Sequence, residues 1–218
     1  MRKINIAIDG TSGVGKSTIA DILAEHNGMV HLDTGAMYRC VALALYRENA
    51  DLANVDQVKE ILNTIHISFD GKKVLLNGED VSNAIRTNNI SNFTSKVSAL
   101  SCVREKLVSL QQAVAAEKGY ILDGRDICTT VLPDAEVKIF MSASAKARAE
   151  RRYKEYVSKG VEADYDIIYK DLVARDYQDS HRAISPLRKA EDAIEVDTSN
   201  LSIEEVVKAI QKIIDQSK

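Results

Sequence analysis

Residues Gly10, Thr11, Ser12, Gly13, Val14, Gly15, Lys16, Ser17 and Thr18 have the spacing of a phosphate-binding turn, G-x-x-x-x-G-K-[ST]. Each residue type has a chemical reason to be there. Glycines let the backbone turn with successive N–H groups pointing inward, so several donors converge on phosphate oxygens. A following helix presents the positive end of its dipole to the same anion. Lys16 supplies a mobile cation for β- and γ-phosphates, and Ser17 supplies a hydroxyl for Mg²⁺. Residues 10–18 are therefore the candidate ATP contacts. Asp123 closes the apolar run that starts at Tyr120 and is followed by Gly124. A carboxylate at the end of a strand can face such a turn and hold Mg²⁺, directly or through a water.

These groups need a scaffold, and the hydrophobic pattern describes one. Lys3 to Asp9 alternates as a strand does, and Ser17 to Glu25 places Ile19, Ile22 and Leu23 at helical spacing. The turn thus lies between a predicted strand and a predicted helix, the context its chemistry requires. Further strands are expected at 29–32, 120–123, 136–141 and 193–196. Helices are expected at 36–48, 55–65, 143–159 and 164–182, and over most of 82–118 with a break near Leu100. Ser202 and Glu205 form a capping box that opens a last helix to about Gln216. Strands separated by helices predict βαβ units and a parallel sheet. The stretch 66–81 breaks that rhythm: Asp70-Gly71 and Asn77-Gly78 are turn pairs, so a small inserted hairpin is expected. Ile19, Leu23, Leu43, Leu107 and Leu110 fit core stripes.

Composition narrows the function classes. The 218 residues carry a formal net charge of −3, with no broad pull toward nucleic acid or an anionic membrane, so an anionic ligand must be held by local arginines and lysines. No apolar run approaches about 18 residues, and no membrane span is expected. A cytoplasmic location is the expectation. Cys40, Cys102 and Cys128 are scattered and read as free thiols, not a disulfide framework. His26, His31, His66 and His181 form no ligand spacing and read as surface or partly buried side chains. A nucleotide-switch GTPase would carry Asp-x-x-Gly and Asn/Thr-Lys-x-Asp segments, and neither occurs. Isolated arginines beside glycines and carboxylates suit a small anionic acceptor instead. At this level a kinase of UMP, AMP or shikimate stays open, as does an ATP-binding regulatory module.

Three segments narrow the choice. Asp33-Thr-Gly-Ala-Met-Tyr-Arg39, Leu122-Asp-Gly-Arg-Asp126 and the stretch from Ala174 to Pro186 resemble the motifs of bacterial cytidylate kinases, a branch of the P-loop nucleoside monophosphate kinases. With the P-loop and the hairpin insert, the likeness spans nearly the whole chain. It implies an α/β fold with a five-stranded parallel sheet of order 2-3-1-4-5. It implies one kinase domain over 1–218, with a core (1–33, 99–144, 186–218), an acceptor lobe holding the hairpin (about 34–98) and a helical lid (about 145–185). It implies transfer of the γ-phosphoryl of ATP, with Mg²⁺, to CMP or dCMP, in a monomer without nucleic-acid or membrane partners.

The resemblance also implies roles. Arg39 and Arg125 match contacts to the acceptor phosphate, for which guanidinium forks are suited. Tyr38 matches a residue lining the acceptor pocket. Thr34 keeps the hydroxyl of a Ser found in some relatives. Ser95, Arg104 and Asp126 match cytosine readers: a carboxylate suits the N4 amino group, and Arg with a hydroxyl suits N3 and O2. Arg175 and Asp179 match sugar contacts, and Arg182 a further phosphate-side arginine. Arg148 and Arg152 lie four apart on the charged lid helix and share a face. With Lys16 and Arg125 they are the expected catalytic cations. Arg151, between them, is equally compatible with a solvated helix face, and Asp197-Thr198 is expected near the adenine.

Overall fold

The protein is described here by a computed structural model covering residues 3–217. In chain order its elements are β1 (Ile6–Gly10), α1 (Lys16–Asn27), β2 (Val30–Asp33), α2 (Thr34–Arg47), α3 (Val55–Thr64), β3 (Ile67–Asp70), β4 (Lys73–Leu76), β5 (Glu79–Asp80), α4 (Asn88–Val97), α5 (Ser101–Ala115), β6 (Tyr120–Gly124), β7 (Val137–Ser142), α6 (Ala145–Ser158), α7 (Tyr165–His181), β8 (Ile194–Asp197) and α8 (Ile203–Gln216). A short 3₁₀ turn covers Ala84–Arg86 and a π-helical turn covers Ile127–Val131. The described residues up to Leu32, together with those from Val114 onward, form one compact unit, and Asp33–Ala113 form another. Among the described residues no helix is long and apolar enough to cross a membrane.

β1 is buried along its length because it has a parallel neighbour on each side and is covered by helices. Ile6 pairs with Ile121 of β6 and Val137 of β7, and Gly10 reaches Met141. The sheet runs β2-β6-β1-β7-β8. Numbered within the sheet alone, that is 2-3-1-4-5, the order the resemblance implies. α1 and α8 close one face: Ile19, Leu23, Val206, Ile210 and Ile214 pack with Ile6, Ile8, Ile139 and Met141. Burial of each such side chain contributes roughly 1.5–3 kcal/mol. A smaller cluster of Ala149, Ile168 and Leu172 joins α6 to α7. The Ser202–Glu205 capping box is present at the start of α8.

In the other unit the insert is a three-stranded antiparallel sheet, β3-β4-β5, one strand more than the expected hairpin. Asn77 and Gly78 both have positive φ, which supplies the tight turn into a two-residue β5. Arg47 of α2 grips Glu79 through two hydrogen bonds of 2.7 and 2.8 Å. Leu110 departs from the expected core stripe and is 43% exposed, whereas Leu107 is buried. On α5 the buried place one turn after Leu107 is taken by Gln111, and Leu110 lies beside it in solvent.

Gly10 marks where the sheet ends and the turn begins. A Cβ on Gly10 would lie 2.1 Å from the Met141 carbonyl oxygen, a backbone atom fixed by the β1–β7 ladder. Gly10→Ala is expected to lose roughly 3 kcal/mol or more, since neither strand can move away. Urea unfolding measures it; an unchanged midpoint would refute the close approach.

Candidate active site

The P-loop takes its shape from glycine and from its own lysine. Gly13 and Gly15 adopt positive φ of 74° and 93°. α1 starts at Lys16, and no side chain caps its first turn. Those N–H groups therefore face the turn, as phosphate binding requires. Lys16 is only 6% exposed, and its Nζ donates to the carbonyls of Gly10 and Thr11 at 2.9 Å each. Burial pushes the Lys16 amine well below its ordinary range, and Arg125 adds to this, while Asp123, Asp9 and Asp179 pull the other way. Lys16 thus lies in one electrostatic neighbourhood with the Arg125–Asp179 pair. Ser12 and Val14 are buried, and Thr18 is exposed on α1.

β6 delivers Asp123 to this turn. Its Oδ2 accepts a hydrogen bond from Ser17 Oγ at 2.9 Å. Against the cost of burial, His31, Lys16 and Ser17 hold the carboxyl below its usual range. A serine hydroxyl and a carboxylate are hard oxygen donors, and Mg²⁺ binds through one or two such groups plus phosphate oxygens and waters. The donor set fits that ion. Among the described residues no cluster of three or more His, Cys, Asp or Glu could hold a metal ion by itself.

The residues after β6 turn sharply. Asp9, buried at the end of β1, accepts from the backbone N–H of Ile127 at 2.9 Å and of Cys128 at 2.8 Å. Burial raises the Asp9 carboxyl to about 6, although the two amides oppose the rise. That clamp fixes the π-helical turn, and with it Arg125 and Asp126. Arg125 Nε donates to Asp179 Oδ2 at 2.8 Å, and Arg182 meets Asp126 Oδ1 at 3.4 Å. Against burial, Arg125, Arg175 and Arg182 hold the Asp179 carboxyl below its usual range. The structure therefore brings Arg125, Arg175 and Arg182 together around the Asp126 and Asp179 carboxylates.

Arg148 on α6 is buried. It donates to Ser12 O at 2.9 Å, to Ala143 O at 3.0 Å and to Asp176 Oδ2 at 2.6 Å, while Asp176 Oδ1 accepts from Ser12 N at 3.4 Å. Arg152 is half-buried against Tyr156, 5.7 Å from its ring, with Nε 3.2 Å from the hydroxyl. The two arginines share a helix face yet have different partners. Arg151 has other partners, Thr198 and the carbonyls of Ser199 and Leu201. It braces the loop after β8 and is not a solvated charge.

In the second unit, Thr34 opens α2 and is buried, behind the Asp33 cap that accepts from Ala36 N at 2.8 Å. Arg39 and Arg86 approach Asp33 at 4.0 and 3.7 Å. Arg104 lies over the Tyr38 ring at 5.5 Å and donates to Ser98 O at 3.3 Å. Ser95, half-buried on α4, accepts at its carbonyl from Ser98 Oγ. Cys40, Cys102 and Cys128 are free thiols.

Sequence reasoning missed Asp9, Arg86, His31 and the bracing role of Arg151. For Asp9 the signal was a charged residue ending an otherwise apolar strand. His31 read as a surface or partly buried side chain with no ligand spacing. In the folded chain its ring lies between Asp123 Oδ1 (2.9 Å) and Asp21 Oδ1 (2.6 Å). Against burial, these carboxylates raise His31 to about 9.

Comparison with known proteins shows the family. The family model described as cytidylate kinase matches residues 6–216. A cytidylate kinase of Bacillus subtilis (strain 168) is 47% identical over 99% of this chain and 98% of its own length. One from Lactobacillus gasseri is 48% identical over 99% of this chain and 95% of its own. A shikimate kinase structure from Bacteroides thetaiotaomicron covers 98% of this chain and 99% of its own, with a TM-score of 0.52 at 11% identity, a likeness of fold alone. Matched by the family model from β1 to α8 and by full-length relatives at nearly half identity, the chain belongs to the cytidylate kinase family.

Proposed function

We propose that this phosphotransferase moves the γ-phosphoryl of ATP directly onto CMP, and onto dCMP as a second acceptor, giving the diphosphate and ADP. The observation that carries the reading is the uncapped start of α1 behind Gly13 and Gly15, with the Ser17 hydroxyl 2.9 Å from Asp123, in a chain of the cytidylate kinase family. Donor N–H groups at a helix start suit a phosphate chain, and the Arg125–Asp179 pair suits the acceptor. The core, acceptor lobe and lid boundaries expected from the sequence belong to this proposal.

In this mechanism the backbone N–H groups of residues 10–18 hold the ATP phosphates. Lys16 exchanges the Gly10 and Thr11 carbonyls for β- and γ-phosphate oxygens. Arg39, Arg125 and Arg182 hold the CMP phosphate. Ser95, Arg104 and Asp126 read the base, Arg175 and Asp179 hold the sugar, and Thr34 and Tyr38 line the acceptor side. The acceptor oxygen belongs to a phosphate of low proton affinity, so no strong general base is needed. The chain's work is positioning and charge stabilisation by Lys16, Arg125, Arg148 and Arg152. Mg²⁺, held at Ser17 and Asp123 directly or through water, neutralises charge on the phosphate oxygens when bound. Closure of the helical lid would keep water, a competing acceptor, away from the γ-phosphoryl.

The test is a panel of CMP, dCMP, UMP, AMP and shikimate with ATP and Mg²⁺, reading ADP release. CMP and dCMP are expected to lead. ADP release indifferent to CMP refutes the proposal, and equal efficiency with UMP refutes base reading. Asp126→Asn replaces an acceptor-only group with an amide and is expected to lower kcat/KM for CMP by about 10²-fold, with ATP affinity little changed. A CMP/UMP ratio in Asp126→Asn equal to the parent's would remove Asp126 from the base-reading set.

A further inference from the structure

Four side chains of the first unit form a continuous hydrogen-bonded line. Ser17 Oγ donates to Asp123 Oδ2 at 2.9 Å, Asp123 Oδ1 meets His31 Nε2 at 2.9 Å, and His31 Nδ1 meets Asp21 Oδ1 at 2.6 Å. The backbone brings them together without strain. Ser17 and Asp21 are four apart on α1 and share a face. His31 and Asp123 stand on β2 and β6, which are neighbours in the sheet. Carboxylates only accept, so both ring nitrogens of His31 donate. Asp123, in the middle of the line, is buried and Ser17 is half-buried, whereas the Asp21 side chain is 60% exposed.

We propose that His31, held in place by Asp21, is a positioning residue for Asp123: it fixes one carboxylate oxygen so that the other stays beside Ser17, where Mg²⁺ of the nucleotide is held. The inference rests on the phosphotransferase reading of Ser17 and Asp123. Its physical basis is the choice open to a buried carboxylate. Asp123 must be paired, because a buried charge without a partner is costly. Lys16 is a second cation close enough to act on it. Without His31, Asp123 would turn toward Lys16. Such a turn would separate Asp123 from the Ser17 hydroxyl and would also occupy the lysine needed by the phosphates. Partners behind metal-binding groups commonly govern 10–100-fold in metal affinity, so about that range is expected here.

Mn²⁺ serves as the probe, titrated by electron paramagnetic resonance into the protein with saturating ADP. His31→Leu is expected to weaken Mn²⁺ binding about 10-fold and to raise the Mg²⁺ concentration for half-maximal turnover in parallel, with KM for CMP within about two-fold of the parent's. His31→Gln keeps an N–H for Asp123 and is expected to restore most of the loss. Asp21→Ala, at an exposed position that leaves the fold intact, is expected to weaken Mn²⁺ about three-fold. Unchanged Mn²⁺ affinity in folded His31→Leu overturns the proposal, and so does a His31→Gln protein as weak as His31→Leu, since bulk and not the N–H would then matter. Should His31→Leu not fold, Asp21→Ala decides: parental Mn²⁺ affinity overturns the brace. Failure of the underlying reading looks different. The parent protein itself would then release no ADP in response to CMP, whereas loss of the brace alone leaves parental turnover intact.

Discussion

Lys16→Met is expected to lower kcat on the order of 10³-fold while the protein stays folded. Methionine keeps the length of the side chain and its apolar stem. What disappears is the ammonium, now held by the Gly10 and Thr11 carbonyls at the mouth of the glycine turn. The loss of rate falls on the charge that develops as the γ-phosphoryl transfers. Initial rates at saturating ATP and CMP, beside a thermal melt, separate a loss of rate from a loss of fold. A folded Lys16→Met protein within about ten-fold of parental kcat would remove Lys16 from the catalytic set.

Arg148→Ala is expected to cost both rate and stability. The lid assignment makes Arg148 a cation for the transferring phosphoryl, and its removal is expected to lower kcat on the order of 10³-fold. The structure adds a second consequence. Arg148 is 3% exposed, and each of its three guanidinium nitrogens donates, to Ser12 O, Ala143 O or Asp176, so it ties α6 and α7 to the glycine turn. Truncation takes the guanidinium from Asp176 and from two carbonyls; Asp176 is 21% exposed and keeps the Ser12 amide, so the cost falls below the about 3–5 kcal/mol of breaking a fully buried pair. Arg148→Lys keeps the charge but not the fork, so it is expected to recover part of the stability and little of the rate. Arg152→Ala provides the contrast. Arg152 leans on Tyr156 and is only half-buried, so its loss is expected to lower kcat with a small change in melting temperature. Unchanged turnover in Arg148→Ala and Arg152→Ala would end their catalytic assignment; a parental melting temperature in Arg148→Ala would contradict the tie to Ser12 and Asp176.

Much of the scaffold was legible in the chain because it depends on short-range pattern. The P-loop is one run of nine residues, the capping box two residues three apart, and the strands and helices follow from hydrophobic period. The limits of that reading are as specific. The insert gained a third strand because Glu79 and Asp80 are too short a stretch to carry a period, and only pairing with β4 defines them. Leu110 fitted a helical stripe but faces away from packing. The π-helical turn at 127–131 has no signature within its own residues: the Asp9 carboxylate, 118 positions earlier, holds it.

What the sequence determined by itself is the phosphate chemistry and its α/β carrier: glycine spacing, Lys16, Ser17 and alternating strands encode a turn that cradles phosphate wherever that segment folds. What only the tertiary structure decided is which charges are paired. His31 read as a surface or partly buried side chain until β6 and α1 placed Asp123 and Asp21 on its two nitrogens, and Arg148 read as a lid arginine until Ser12 and Asp176 closed around it. The reason is range. Backbone propensity and hydrophobic period act over a few residues, but electrostatic partners are chosen by proximity in space. The 92 positions between His31 and Asp123 vanish only when β2 and β6 lie side by side.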